Sequence, residues 1–279
     1  RSPPENTPKR SKAKAAGINR MAVAGGMISP TDFAAIRTVS GAVMLLALLL
    51  PLRRPPPLMA PGRVTGVLSL TVYMLGFSFA YLTLDTGLGA LVLFGMVQLT
   101  MFAGGLIRGQ RIQALRWVGA AIALSGLAVL LWPTGATAPD PVGADLMAAA
   151  GIGWGLYSLA GRGLRNPLDE TAANFTLAAP LTVAPLLLID AASDAEPRGI
   201  LLAVISGAVT SGLGYALWYR VLPHLAAASA AVAQLTVPLI AAAGGIALLG
   251  EEPGARFAAA SLLVLGGVGV SISARSFHR

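Results

Sequence analysis

The sequence predicts an all-α integral membrane protein built as two inverted-topology repeats of short transmembrane helices. Three observations lead there: a composition suited to lipid, nine apolar stretches of spanning length, and an echo between the two halves of the chain. Of 279 residues, 55% are hydrophobic and only 11% charged, against roughly 25% charged in an ordinary soluble domain. A mean hydropathy of +0.72 is that of a chain surrounded by hydrocarbon. The 33 Gly and 19 Pro follow no period, which excludes collagen and a disordered linker.

A spanning helix needs about 20 apolar residues. The stretches 33–51, 64–84, 88–107, 117–132, 144–161, 171–189, 200–219, 226–249 and 257–274 meet that need, and their short connections make successive helices antiparallel neighbours. Charge sets the orientation. One set of alternate loops carries Arg53, Arg54, Arg63, Arg108, Arg111, Arg116, Arg162, Arg165, Arg220, Arg275 and Arg279, whereas the other carries only Arg198 and Arg256. The positive-inside rule places the Arg-rich loops and the C-terminus in the cytoplasm of a bacterial-type inner membrane. Trp117, Trp132 and Trp218 fall at span ends, where amphipathic rings favour the interface.

The Pro/Gly stretch around residues 134–143 divides the chain. A shift of 138 lays span 33–51 on 171–189 and matches Gly76 with Gly214 and Tyr81 with Tyr219. A shift of 141 then matches Gly104 with Gly245, Gly109 with Gly250 and Gly126 with Gly267. Repeats with an odd number of spans insert in opposite senses and create a pseudo-two-fold in the membrane plane. The second half has five spans. The partner of span 144–161 falls near residues 3–23, where Lys9, Arg10, Lys12 and Lys14 cannot cross hydrocarbon. The expected organisation is a basic disordered tail over 1–14, a first repeat over 15–133 whose first helix is a short stub within 15–30, a linker over 134–143, a second repeat over 144–274 and a tail over 275–279.

Order, spacing and loop charge together resemble the EamA-type branch of the drug/metabolite transporter superfamily. Phe33-Ala34-Ala35-Ile36-Arg37 resembles the start of that family's second helix. Pro238 followed by Gly250-Glu251 resembles its ninth-helix proline and Gly-Glu ending, and Gly109-Gln110 stands where the first half would carry Gly-Glu. The resemblance implies a five-plus-five helix plan and a gradient-driven exporter of a small, amino-acid-like or amphipathic metabolite, working by alternating access. The basic segment in place of a full first helix leaves one rival, a truncated, non-transporting membrane protein or scaffold.

The absences point away from catalysis. With no Cys, and with every Lys at or before Lys14, thiolate chemistry, a P-loop lysine and a Schiff-base lysine are all missing from the hydrophobic body. No cofactor, metal or nucleic acid is expected, and the partners are a small metabolite, the bilayer and, compatibly, a second copy in a homodimer. Substrate-cavity candidates come from polar and aromatic side chains inside spans, because an unpaired polar group in hydrocarbon must face protein, water or substrate. They are the amides Gln98 and Gln234, on the fourth helix of each half, and Tyr81, Trp154, Tyr157, Tyr215 and Trp218 at helical spacings; Asn174 is a third buried amide. Arg37, about one turn inside its span, could attract an anionic group, but the favoured expectation is that it snorkels to the outer interface or pairs with Asp32. Pro180, Pro185 and Pro238 should bend their helices. Glu251, after Gly250 at an unfavourable helix C-terminus, is expected to pair with Arg256 or a neighbouring helix end.

Overall fold

The computed structural model describes residues 22–23, 25–132, 140–162, 166–188, 195–240, 243 and 254–273, which hold helices and connecting turns and no strand. In chain order the helices are α1 (Pro30–Leu49), α2 (Arg63–Ala80), α3 (Thr86–Ile107), α4 (Ala114–Leu131), α5 (Pro141–Gly161), α6 (Pro167–Leu188), α7 (Pro197–Ile205), α8 (Gly214–Val221), α9 (Ala227–Gln234) and α10 (Ala255–Ser273). A π-helical section, Ser206–Leu213, joins α7 to α8, so Pro197–His224 is one continuous span. Each sequence-predicted stretch therefore carries helix over most of its described length, the stretch 64–84 ending in a turn over its last four residues. Among the described residues, six spans are long and apolar enough to cross a membrane by length and composition alone.

Local chemistry sets the ends. Proline opens α1, α5, α6 and α7, where its missing N–H costs nothing and its fixed φ suits the first helical position. Ser29 caps α1 by accepting the Asp32 N–H at 3.0 Å, and Asp140 caps α5 by accepting the Gly143 N–H at 2.7 Å. Helix α5 thus begins inside the predicted 134–143 linker. Gly109 terminates α3 at φ 73°, and the Gln110 N–H reaches back to the Gly105 carbonyl at 2.9 Å, a left-handed cap that glycine adopts without strain. At the far end of α4, the Arg256 guanidinium donates to the Val129 and Trp132 carbonyls. A cation on orphan carbonyls suits a helix C-terminus. Gly250 and Glu251, and with them the expected pairing of Glu251 with Arg256 or a neighbouring helix end, lie outside the described residues.

Between lipid-immersed helices, close backbone approach supplies the packing that apolar burial supplies in water. Small residues provide it here. On α4 and α10, a Cβ built on Gly267 would lie 2.5 Å from both the Gly119 carbonyl oxygen and the Ala123 nitrogen. A Cβ on Gly119 would meet the Gly267 carbonyl oxygen at the same distance, so the two backbones touch reciprocally along antiparallel helices. The α2–α5 contact is likewise antiparallel, with Gly76 against Leu146 and Gly153 against Ser69. Helix α1 packs on α6 and on the π-helical section, α4 on α10, and α3 on α9, so helices from the two sequence halves interleave.

The buried face of the Pro197–His224 span explains its π-helical section. Gly199, Ala203, Gly207, Ser211, Tyr215 and Tyr219 are all buried and follow each other at intervals of four. In a pure α-helix each such step drifts about 40°, and five steps drift about 200°, which would carry Tyr219 to the opposite face from Gly199. The wider π turns absorb the drift and keep the stripe facing the bundle: Gly199 meets Met27 and Gly207 meets Arg37 and Ser40, while Tyr219 at the other end lies against Gly161.

Residues 15–21 and 24 of the predicted N-terminal stub lie outside the described residues, as does the basic tail. Ala22, Val23 and Ile28 are buried with Phe33 and Ala203, and the Glu196 N–H donates to the Met27 carbonyl at 2.7 Å, fixing this turn to the start of α7. Pro180 and Pro185 lie inside α6 without ending it. Pro238 acts differently. Its ring must clear the carbonyl four residues back, at Gln234, and that is where α9 stops before helix resumes at 236–240.

Gly267→Ala should destabilise the protein by about 1–3 kcal/mol through overpacking of the α4–α10 seam. Gly269→Ala, where nothing lies within 4 Å of the new Cβ, should leave thermal unfolding in detergent unchanged or slightly raised; equal melting of the two variants would refute the backbone seam.

Candidate functional site

The centre of the bundle holds a continuous run of aromatic rings. Tyr73 and Phe77 on α2 are 5.5 Å apart, and Tyr81, just past the end of α2, meets Phe77 edge-on at 4.9 Å. Trp154 on α5 lies 5.1 Å from Tyr73, 5.8 Å from Tyr157 and 4.6 Å from Tyr215 of α8. Tyr215 meets Phe175 of α6 at 5.6 Å, and Tyr157 meets Tyr219 at 5.2 Å. Tilted and edge-on pairs at these separations are favourable beyond their buried area. Helical spacing brings the rings of each helix together: i, i+4, i+8 along Tyr73, Phe77 and Tyr81, and i, i+3 along Trp154 and Tyr157.

Amides border the rings. The Trp154 indole N–H donates to Gln234 Oε1, and Gln234 Nε2 donates to Met101 Sδ at 3.3 Å. Gln98 lies one turn from Met101 on α3 and is 3% exposed, with neither amide atom hydrogen-bonded. Tyr219 Oη donates to the Tyr157 carbonyl at 3.0 Å. Trp218, half-buried against the same core, keeps a buried indole N–H without an acceptor. The predicted Tyr81, Gln98, Trp154, Tyr157, Tyr215, Trp218 and Gln234 thus sit in or against one core, with the rings packed directly on each other. Two open recesses lie elsewhere, one around Leu68, Val72 and Ile152, the other at the Arg-rich end around Arg54, Arg220 and His224. The exposed rings of Trp117 and Trp132 fit their expected surface placement.

Arg37 corrects the expectation made for it. It is 4% exposed and turns into the bundle, not to the outer interface. Its Nε donates to Ser211 Oγ at 3.0 Å, and its Nη2 to Tyr73 Oη at 3.1 Å and Tyr215 Oη at 3.4 Å. Its guanidinium carbon lies 5.3 Å from the Tyr73 ring centroid and 5.4 Å from that of Phe77. These partners stand 36 to 178 residues away in sequence, so no local pattern could reveal them. Asp32, the alternative partner, accepts from Ser29 Oγ at 2.7 Å in the α1 cap.

A second buried arginine was hidden among the topology-setting charges. Arg63, 8% exposed at the start of α2, pairs with Glu170 Oε2 at 2.5 Å and donates to the Glu170 carbonyl at 3.1 Å, Asn174 Oδ1 at 2.5 Å and the Pro57 carbonyl at 2.5 Å. Asn174, expected as an intramembrane amide, is therefore an acceptor that ties α6 to α2. This knot joins the two sequence halves at the Arg-rich end of the bundle.

A polytopic bundle with an aromatic, amide-bordered interior defines an integral membrane protein built around polar groups at its core. Residues 142–273 match the EamA-like transporter family. The chain is 45% identical over 256 residues to an uncharacterized protein of Pseudomonas aeruginosa, spanning 92% of this chain and 88% of that one. A crystal structure of a protein at 19% identity shares the fold, with a TM-score of 0.74 over 93% of this chain and 94% of the other. The chain belongs to the EamA-like transporter family, whose members are membrane transporters of small substrates.

Removing one partner of a buried ion pair leaves an uncompensated charge, at a cost of about 3–5 kcal/mol. Glu170→Ala should therefore lower thermal stability by about 3 kcal/mol, less than the full range because Glu170 is 20% exposed. The double variant Arg63→Leu with Glu170→Ala should recover part of that loss; a double variant no more stable than Glu170→Ala would argue against coupling between the pair.

Proposed function

We propose that the protein is a gradient-driven carrier of a small amphipathic metabolite, exporting it across the inner membrane by alternating access between two inverted halves. The observation that carries this reading is the aromatic and amide cluster itself. Its members come from α2, α3, α5, α8 and α9, and hence from both halves of the chain. A packed apolar interior would leave fewer unmet polar groups; here Gln98 is buried with its donor and acceptor both unused. Such groups suit a carrier because an incoming ligand can meet them, and the cost of their burial falls when it does.

Alternating access also needs closures that can break. The Arg63, Glu170 and Asn174 knot ties α2 to α6 at the Arg-rich end, which the charge distribution assigns to the cytoplasm. In this reading the knot is the inner closure, and Pro238 with the π-helical section supplies the bends about which helices rock. An amphipathic cargo fits the walls: rings for an apolar body, and amides and hydroxyls for its polar end.

Two measurements test the reading. Metabolite efflux screened in cells expressing the full chain should yield a transported compound, and its flux in proteoliposomes should fall by roughly ten-fold or more in a Gln98→Ala, Trp154→Ala, Gln234→Ala triple variant that melts normally; unchanged flux would remove these residues from the pathway. Because the chain has no Cys, single replacements report topology cleanly. Arg198→Cys should react with an impermeant maleimide from outside intact cells, whereas Arg111→Cys should react only after permeabilisation, and the reverse pattern would invert the assigned orientation.

A further inference from the structure

Arg37 is a buried charge whose described hydrogen-bond partners are all neutral. Its Nε and Nη2 donate to three neutral hydroxyls, while Nη1 is buried with no partner. A guanidinium has five N–H donors and no acceptor, so the two on Nη1 stand ready for an incoming oxygen. Among the described residues no carboxylate stands in contact with it: Ser211, Tyr73 and Tyr215 bond it, and Phe77 lies against its face. Buried Arg63, in contrast, is neutralised by a carboxylate, that of Glu170.

The position is enforced by the backbone. A Cβ on Gly207 would lie 2.2 Å from the Arg37 carbonyl oxygen, so the π-helical section presses directly on the turn of α1 that carries the arginine. That same section supplies Ser211, the partner of Nε. The side chain is thus aimed inward from two sides, beneath Tyr73, Phe77 and Tyr215, with Trp154 in contact with both tyrosines.

We propose that Arg37, with its Nη1 donors unfilled under the Tyr73, Phe77 and Tyr215 rings, anchors a carboxylate of the carried molecule, so that the site takes apolar-bodied organic anions in preference to amines and zwitterions. The proposal rests on the carrier reading above and names its substrate class. Charge and ring geometry both favour an anion. The guanidinium already occupies the faces of Tyr73 and Phe77, which an ammonium would otherwise use, and it repels any cation placed beside it. A carboxylate would gain charge-assisted hydrogen bonds to a donor that currently has none, in surroundings where such bonds are strong. Its apolar body would lie against Trp154 and Phe77.

The test is equilibrium binding to the purified full chain in nanodiscs, with four probes of one ring size: phenylacetate, phenylacetamide, phenethylamine and phenylalanine. Phenylacetate should bind at least roughly ten-fold more tightly than each of the others, the ratio expected for a hydrogen bond to a charged group. This ranking on the unsubstituted protein needs no variant. Arg37→Gln should bring phenylacetate to the level of phenylacetamide while leaving the amide within about two-fold, and Arg37→Lys should restore part of the preference. Amine or zwitterion binding as tight as phenylacetate, or phenylacetate binding indifferent to Arg37→Gln in a variant that melts normally, overturns the anchor and leaves the carrier reading standing. Binding of none of the four removes the ligand site within the aromatic cluster, and the anchor with it.

Discussion

Hydrocarbon offers no hydrogen-bond partner, and the architecture follows from the need to satisfy polar groups inside the protein. Hydroxyls inside the helices turn back on their own backbone: Thr38 donates to the Ala34 carbonyl, Thr71 to Val67, Ser78 to Met74 and Thr100 to Met96. The orphan carbonyls ending α4 receive the Arg256 guanidinium, and the kink at Pro238 falls beside Gln234, whose side chain bonds across helices. Helices can then approach closely because small residues line their contacts, and the aromatic rings fill the wider spaces that remain.

Arg63 and Arg37, two of the buried arginines, answer that need in opposite ways. Arg63 meets a carboxylate, an amide and two backbone carbonyls, a set that matches its charge and engages both terminal nitrogens, leaving only Nε without a partner. Arg37 meets hydroxyls and ring faces, which accept hydrogen bonds but return no full charge. The first arrangement is a closed structural joint between α2 and α6. The second keeps a cation at the interior without spending a protein carboxylate on it, and it lies within the same cluster as the amides.

Much of the fold was legible because hydropathy, loop charge and spacing are written locally. The spans, their order and the Pro-led helix starts all follow from residues near each other in sequence. Gathering Tyr81, Gln98, Trp154, Tyr157, Tyr215, Trp218 and Gln234 into one core was also legible, since polar and aromatic groups within spans have few places to go but inward. The orientation of Arg37 was not. A residue one turn inside a span can snorkel or turn in with equal ease, and the choice is made by Ser211, Tyr73 and Tyr215, which come from other spans. Arg63 was obscured differently: it looked like one more positive charge marking a loop, and only the approach of Glu170, 107 residues away, distinguishes it.

The four-residue stripe along Pro197–His224 carries a mechanical implication. A helix that holds its π turns only to keep one face in line is wound more loosely than its neighbours, and the slack is concentrated between two segments that are docked independently: Gly199 on the Met27 turn, and Tyr219 on Tyr157 and Gly161. Tightening a single wide turn to α-helical pitch would turn the following segment by about 100° about its axis while the preceding one stayed in place. The span therefore resembles a screw joint, able to rotate Tyr215 and Trp218 relative to Arg37 without sliding the helix through the bilayer.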